Sequence, residues 1–349
     1  MLDYLHMSSW TFFRAVLGSF GLWLLLGGAV RAEASEAPAA SEVKSLVIYS
    51  SQKEHILREL VESFSQETGV QIRLVYDQAG PLLTKLRAEG ASSPADVLLA
   101  VDVGNLWLAT QMDLLRPIQS EDLTSAVPNV LRDSQGRWFG LSQRARTIVY
   151  NPDQVAAEDL GSYADLAGAQ WKGRLCLRTS GHVYNQSLVA VLLESLGEDK
   201  TLEVLRGWVR NLAAPVFAND TQLIRAVHSG QCHVGITNSY YLARILSDQP
   251  DIRVQLHWPE RVHVNVFGGG VTRSSSQPDL GQQFLEWLVS ESGQKLIAQA
   301  NYEFPVREGI EPSQIVKSWG VFQPMEVHLS VAGERQSEAV RLMDRARYR

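Results

Sequence analysis

Between Ser45 and Val101 short apolar runs alternate with helical patterns, and this rhythm restricts the fold more than any other feature of the chain. Ser45-Leu-Val-Ile-Tyr49, the stretch from Val70 to Tyr76, and Asp96-Val-Leu-Leu-Ala-Val101 are short and apolar enough to be buried strands. Between the first two, Ile56, Leu57, Leu60, Val61 and Phe64 share one helical face, and the pattern stops near Gly69. Between the second and third, Pro81 opens a helix carrying Leu82, Leu83 and Leu86, which Gly90 closes. A strand-helix-strand-helix-strand order implies a parallel sheet covered by helices, because parallel neighbours need a crossover.

The rhythm returns from Leu175 to Ile236, with helices expected around Tyr184–Leu196, Thr201–Leu212 and Thr221–His228. His263-Val-Asn-Val-Phe267 then leads into Gly268-Gly269-Gly270, and helices follow near Leu280–Val289 and Gly293–Ala300. The glycine triplet suits close backbone packing or a bend; no helix follows at the spacing a phosphate loop needs. Two α/β units predict two lobes, each a mainly parallel sheet flanked by helices, with a cleft between them that closes by hinge motion. The expected division is 44–145 plus about 265–315 for one lobe, and 146–264 plus about 316–349 for the other.

The N-terminus is of another kind. Residues 15–30 hold no charge, Arg14 precedes them, and Val30-Arg31-Ala32 offers small residues at the positions a signal peptidase reads. The run is shorter than the roughly 20 residues of a spanning helix, so residues 1–32 are expected to be a cleaved export signal that leaves no membrane span. Translation starts at Met1 or Met7, and 33–43 is a linker rich in Ala, Ser and Glu. A net charge of −6 without a Lys/Arg-rich run excludes a nucleic-acid partner. Cys176 and Cys232 each lie in a run that reads as a strand. An exported setting favours a disulfide, the alternative being two buried thiols on neighbouring strands.

In open α/β sheets ligands gather beyond the carboxyl ends of strands, where helices begin. Three junctions matter: Tyr49-Ser-Ser-Gln-Lys-Glu-His55, Arg178-Thr-Ser-Gly-His-Val-Tyr184, and Ile236-Thr-Asn-Ser-Tyr240-Tyr241. Adjacent side chains on a strand point apart, but Asn238 and Ser239 are helix-capping types. Tyr240 and Tyr241 therefore fall in a bend and a first helical turn, where both can face a cleft. A helix N-terminus favours negative charge, and a phenol of pKa about 10 must lose its proton to bind a metal. Converging phenolates suit hard Fe(III) better than zinc or copper. The residues alone leave two readings open, metal binding and plain packing at helix starts.

Tyr150, in the apolar run Thr147-Ile-Val-Tyr150, reads as structural. His228 and His233 lack ligand spacing, and His182 reads as a loop-surface residue with a supporting role as the alternative. No Gly-x-Ser-x-Gly, no His-Glu-x-x-His and no Cys-His pair matching a catalytic motif marks an enzyme.

The chain resembles the periplasmic ferric-ion-binding proteins that serve ABC-type iron importers, from about Ser45 to Arg347. The likeness rests on Ser92-Ser-Pro-Ala-Asp-Val97, Trp138-Phe-Gly-Leu-Ser142, Arg144-Ala-Arg-Thr-Ile-Val-Tyr150, Trp171-Lys-Gly-Arg174, Tyr184-Asn-Gln-Ser187, Asn238-Ser-Tyr-Tyr-Leu242 and Tyr302-Glu-Phe-Pro-Val306. It implies the two-lobed α/β periplasmic-binding-protein fold with a hinge and interlobe cleft, and a monomeric, non-enzymatic periplasmic carrier that takes Fe(III) as cargo and delivers it to an inner-membrane ABC permease. By this resemblance Tyr184, Tyr240 and Tyr241 are the metal ligands. Arg144 holds a synergistic anion such as carbonate, with Arg146, Ser51 and Gln52 as further candidates. Many relatives place a His or His-Tyr after the residues matching Ser51-Gln52, whereas here Lys53 and Glu54 follow and His55 is displaced. Glu54 or His55 is then a ligand, or an anion and water fill those positions; the last is the preferred reading. The alternative function is a binding protein of the same fold for an organic solute such as a polyamine or thiamine.

Overall fold

Nine strands form one mixed sheet in the computed structural model, which describes residues 44–349. They are β1 (Ser45–Ser50), β2 (Gln71–Tyr76), β3 (Val97–Val101), β4 (Phe139–Tyr150), β5 (Leu175–Cys176), β6 (Val234–Asn238), β7 (Gln255–His257), β8 (His263–Val271) and β9 (Phe304–Pro305). The order is β2-β1-β3-β8-β4-β6-β5, with β7 and β9 also paired to β4. The expected export signal, the linker and the choice of start codon lie outside the described residues. Among the described residues no helix is long and apolar enough to cross a membrane.

Both ends of the sheet have the parallel pairing expected: β1 with β2 and β3, and β5 with β6. The first βαβ units form as the apolar spacing dictates. Helix α1 (Glu54–Thr68) buries Leu57, Leu60 and Phe64, and Gly69, at φ 74°, closes it by donating its N–H to the Ser65 carbonyl. Helix α2 (Ala79–Glu89) starts two residues before Pro81, which fits the first turn because its missing N–H is needed for no helical bond there. Helices α3 (Val103–Gln111) and α4 (Glu121–Ala126) complete this half. The second half has α5 (Val183–Leu196), α6 (Glu198–Arg210), α7 (Asp220–His228) and α8 (Ser239–Asp248). Helices α9 (Pro278–Val289) and α10 (Glu291–Asn301) return to the first, where Phe284 and Trp287 of α9 pack edge-on against Phe64 at ring separations of 5.0 and 5.6 Å.

The middle of the sheet is antiparallel, and two long strands make it so. β4 pairs with β8 from Phe139 to Arg146 and with β6 from Arg146 to Tyr150. Phe139 and Leu141 pack in a core with β1, β3, α1 and α9, whereas Ile148 and Tyr150 pack in another with α5 and α6. β4 thus passes from one core into the next, and β8 passes back. Gly269 lets β8 lie close: a Cβ there would stand 2.6 Å from the Leu99 side chain and 2.9 Å from the Leu98 carbonyl. The glycine triplet is a packing device, as expected.

Between the cores runs a buried polar seam. Side chains on a strand alternate faces, so Ser142, Arg144 and Arg146 of β4 share one face. Asn265 and His263 of β8 lie opposite the two arginines, and all five are buried. Cys176 and Cys232 are disulfide-bonded, with Cα atoms 5.8 Å apart. Cys232 lies ahead of β6, not in it, because the turn at Gly230 (φ 79°) delays the strand until Val234.

Candidate functional site

The seam ends at the starts of two helices. β6 stops at Asn238 and α8 begins at Ser239, so Tyr240 and Tyr241 occupy the first turn. Their rings stack at 4.3 Å with a 30° tilt, sharing one side as the junction reading requires. Asn238 occupies the cap position, but its side chain accepts no helix N–H; Oδ1 instead receives Nη1 of Arg146 at 3.0 Å. Tyr184 sits in the first turn of α5, capped by His182, whose Nδ1 accepts the Tyr184 N–H at 3.3 Å. The Tyr184 and Tyr240 hydroxyls meet at 3.2 Å. Tyr241 is half-buried beside them.

Burial pushes the Tyr184 and Tyr240 phenols well above their ordinary value, and Arg144 pulls against that shift in both. Two helix N-termini and a cation therefore surround phenols that burial, with the neighbouring tyrosines, keeps protonated. Arg144 is 1% exposed, with its guanidinium carbon 4.9 Å from the Tyr184 ring centre. Its nearest carboxylates, Asp102 and Glu303, each stand 3.8 Å away, beyond hydrogen-bond reach. Nε, Nη1 and Nη2 make no hydrogen bond. A buried guanidinium with all its donors unused is a ready oxyanion fork.

Arg146, the second arginine singled out, has spent its donors. Nε and Nη2 both reach Asn185 Oδ1 (3.1 and 2.7 Å), and Nη1 also reaches Asp220 Oδ2 at 3.3 Å. Ser51 and Gln52 are half-buried at the end of β1; the Ser51 hydroxyl accepts the Val101 N–H at 2.9 Å, and Gln52 donates its own N–H to Ser50. Glu54 and His55 are exposed in the first turn of α1, and the Glu54 carboxylate stands 4.0 Å from Arg58. Among the described residues, no hydrogen bond or ion pair joins either to the tyrosines.

His182 is half-buried and not on the loop surface: burial first, then Arg178, Arg146 and Arg144, push its pKa down to about 3. Tyr150 donates its hydroxyl to Gln255 at 2.7 Å, a structural role. His233 accepts from Arg174 and His228 from the Arg253 N–H. No group of three or more His, Cys, Asp or Glu that could hold a metal occurs among the described residues.

Asp102 and Glu303 were missed by the sequence reading. Asp102 follows β3 directly, so the strand-end rule that found the tyrosines points to it when applied to Val101-Asp102. Its carboxylate accepts from Ser187 of α5 at 2.6 Å and from Asn265 at 2.9 Å. Glu303 lies in the Tyr302–Val306 motif and binds the Ser142 hydroxyl.

Residues 46–303 match the family model described as bacterial extracellular solute-binding protein. The chain is 38% identical over 352 residues to iron uptake protein A1 of Synechocystis sp., covering 98% of this chain and 97% of the relative. It is 32% identical to the Fe(3+)-binding periplasmic protein of Serratia marcescens, covering 78% and 82% respectively. A Trichodesmium protein solved in complex with iron and citrate superposes with a TM-score of 0.83 at 37% identity, over 87% of this chain and 100% of that one. The chain therefore belongs to the family of bacterial extracellular solute-binding proteins.

Proposed function

We propose that this chain is a periplasmic, non-enzymatic carrier that captures Fe(III) in an interlobe cleft and delivers it to an inner-membrane ABC permease. The observation that carries this reading is the convergence of Tyr184, Tyr240 and Tyr241 beside Arg144, a buried guanidinium with no hydrogen bond of its own. Three phenolates supply hard anionic oxygen to a trivalent ion, and the arginine grips a small oxyanion that completes its coordination. The names of the Synechocystis and Serratia relatives support iron as the cargo, and the Trichodesmium complex with iron and citrate supports an anionic co-ligand. Carbonate is the anion we favour, with Glu54 and His55 left outside the ligand set.

In this reading the protein is a monomer whose lobes comprise 44–145 with about 265–315, and 146–264 with about 316–349. The partition of the cores supports that division as far as Val306, which packs with the first core, but moves the last boundary later than 316. Leu329 and Ala332 pack with the first core and Ala339 with the second, so the last crossing falls between Ala332 and Ala339. Protons compete for phenolate oxygens, so acid releases the cargo.

Adding Fe(III) with bicarbonate to the purified apoprotein tests the reading. A visible phenolate-to-iron absorption band is expected, and a colourless protein overturns it.

A further inference from the structure

We propose that Arg146 is a positioning residue that sets the spacing of the two tyrosine-bearing helix starts. The inference rests on the iron reading above but concerns a residue outside the ligand and anion set.

Arg144 and Arg146 are alternate residues on one face of β4, yet their donors are used in opposite ways. Arg144 makes no hydrogen bond at all. Arg146 is 2% exposed and makes five. Two go to Asn185, the residue after Tyr184; one goes to Asn238, two before Tyr240; the others go to Asp220 at the start of α7 and to the Ile236 carbonyl. A single planar guanidinium therefore joins the first turn of α5 to the cap of α8. Only a rigid fork satisfies acceptors in such different directions, and lysine has no such fork.

The α5 end of the link and the arginine's own backbone are themselves fixed. Asn185 also donates to the carbonyls of Arg178 and Thr179, at 2.8 and 3.0 Å, which holds its amide. At the arginine itself the Tyr163 hydroxyl donates to the Arg146 carbonyl and accepts the His263 N–H at 3.0 Å, so the backbone beneath the guanidinium is clamped. The contacts run from β4 through one side chain to Asn185 and Asn238, which flank the two tyrosines whose hydroxyls stand 3.2 Å apart.

The test compares wild-type protein with Arg146→Lys in three measurements: Fe(III) affinity, the wavelength of the phenolate-to-iron band, and the dependence of binding on bicarbonate. Lysine keeps the charge beside Asp220 but loses the fork. The expected result is iron binding weakened roughly ten- to a hundred-fold, as for outer partners of metal ligands, with a displaced band and an unchanged bicarbonate response. A purely structural arginine would leave the band where it is. An unshifted band with wild-type affinity overturns the proposal, and so does loss of the bicarbonate response, which would make Arg146 an anion arm. If Arg146→Lys does not fold, Asn238→Ala removes only the α8 arm and carries the same expectations. A wild-type protein with no band instead rejects the iron reading itself.

Discussion

The hydroxyls of Tyr184 and Tyr240 stand 3.2 Å apart, although 56 residues separate them and each belongs to the first turn of a different helix. In the metal-free protein this contact is a hydrogen bond between two neutral phenols, because burial holds both protons on. Coordinating iron through both oxygens would displace both protons.

Tyr240→Phe separates the two roles of the contact. Loss of one buried hydrogen bond costs stability about 1 kcal/mol. Loss of one phenolate should weaken Fe(III) binding by at least ~2.8 kcal/mol, about a hundred-fold. A melting curve and an iron titration on the same variant check both, and equal small effects would reduce the tyrosines to packing residues.

His263 makes the stability pH-dependent. It is buried with no hydrogen bond at Nδ1, and burial, then Arg146 and Arg144, push its pKa down to about 3. In the unfolded chain the ring titrates near its ordinary value of 6.5. Between those values the unfolded state binds a proton that the folded state refuses, so stability falls as pH drops from about 6.5 towards 3. The slope from this group approaches about 1.4 kcal/mol per pH unit. Denaturant melts at pH 7, 6 and 5 should show a shallower decline in His263→Leu; an equal slope would assign the acid sensitivity elsewhere.

What could be read from the residues depended on whether their partners were local. β1, α1 and β3 were legible because Leu46, Leu57, Leu60 and Val97 declare buried faces by spacing alone. β4 was not assigned, since Ser142, Gln143, Arg144, Arg146 and Thr147 look like a polar loop. The partners that permit their burial are distant: Glu303 lies 161 residues from Ser142 and Asn238 lies 92 from Arg146. The antiparallel centre of the sheet went unseen for the same reason. The pairing of Tyr240 with Tyr241 was legible because strand-end and capping rules act within a few residues, whereas Tyr184 joined them only through the family resemblance. The division of labour between Arg144 and Arg146 was not, because two alternate arginines on one strand differ only in what the other chain segments bring to them.

Reduction of the Cys176–Cys232 bond should matter for folding and not for iron. The bond spans 56 residues and joins the end of β5 to the turn before β6, next to Leu223 and Ile224 and on the opposite side of the strands from the seam. Cross-linking a loop of that length restricts the unfolded chain by roughly 4 kcal/mol. The expected outcome is a lower melting temperature for the Cys176→Ala, Cys232→Ala variant with an unchanged iron band. A displaced band would tie the disulfide to the site.

Arg144 calls for a conservative substitution, because its surroundings make truncation ambiguous. Asp102 and Glu303 are both buried and both 3.8 Å from the guanidinium. Removing the cation leaves two uncompensated carboxylates at a cost of about 3–5 kcal/mol, so an Arg144→Ala variant that fails to bind iron could simply be unfolded. Arg144→Lys keeps the charge between the carboxylates and removes the two-pronged geometry that suits a planar oxyanion. Folding should then survive, and the fault should appear in the anion response. Iron titrations at bicarbonate concentrations from zero to saturation should show affinity rising in the wild type and nearly flat in the variant. A rise of wild-type size in Arg144→Lys would take the anion away from Arg144.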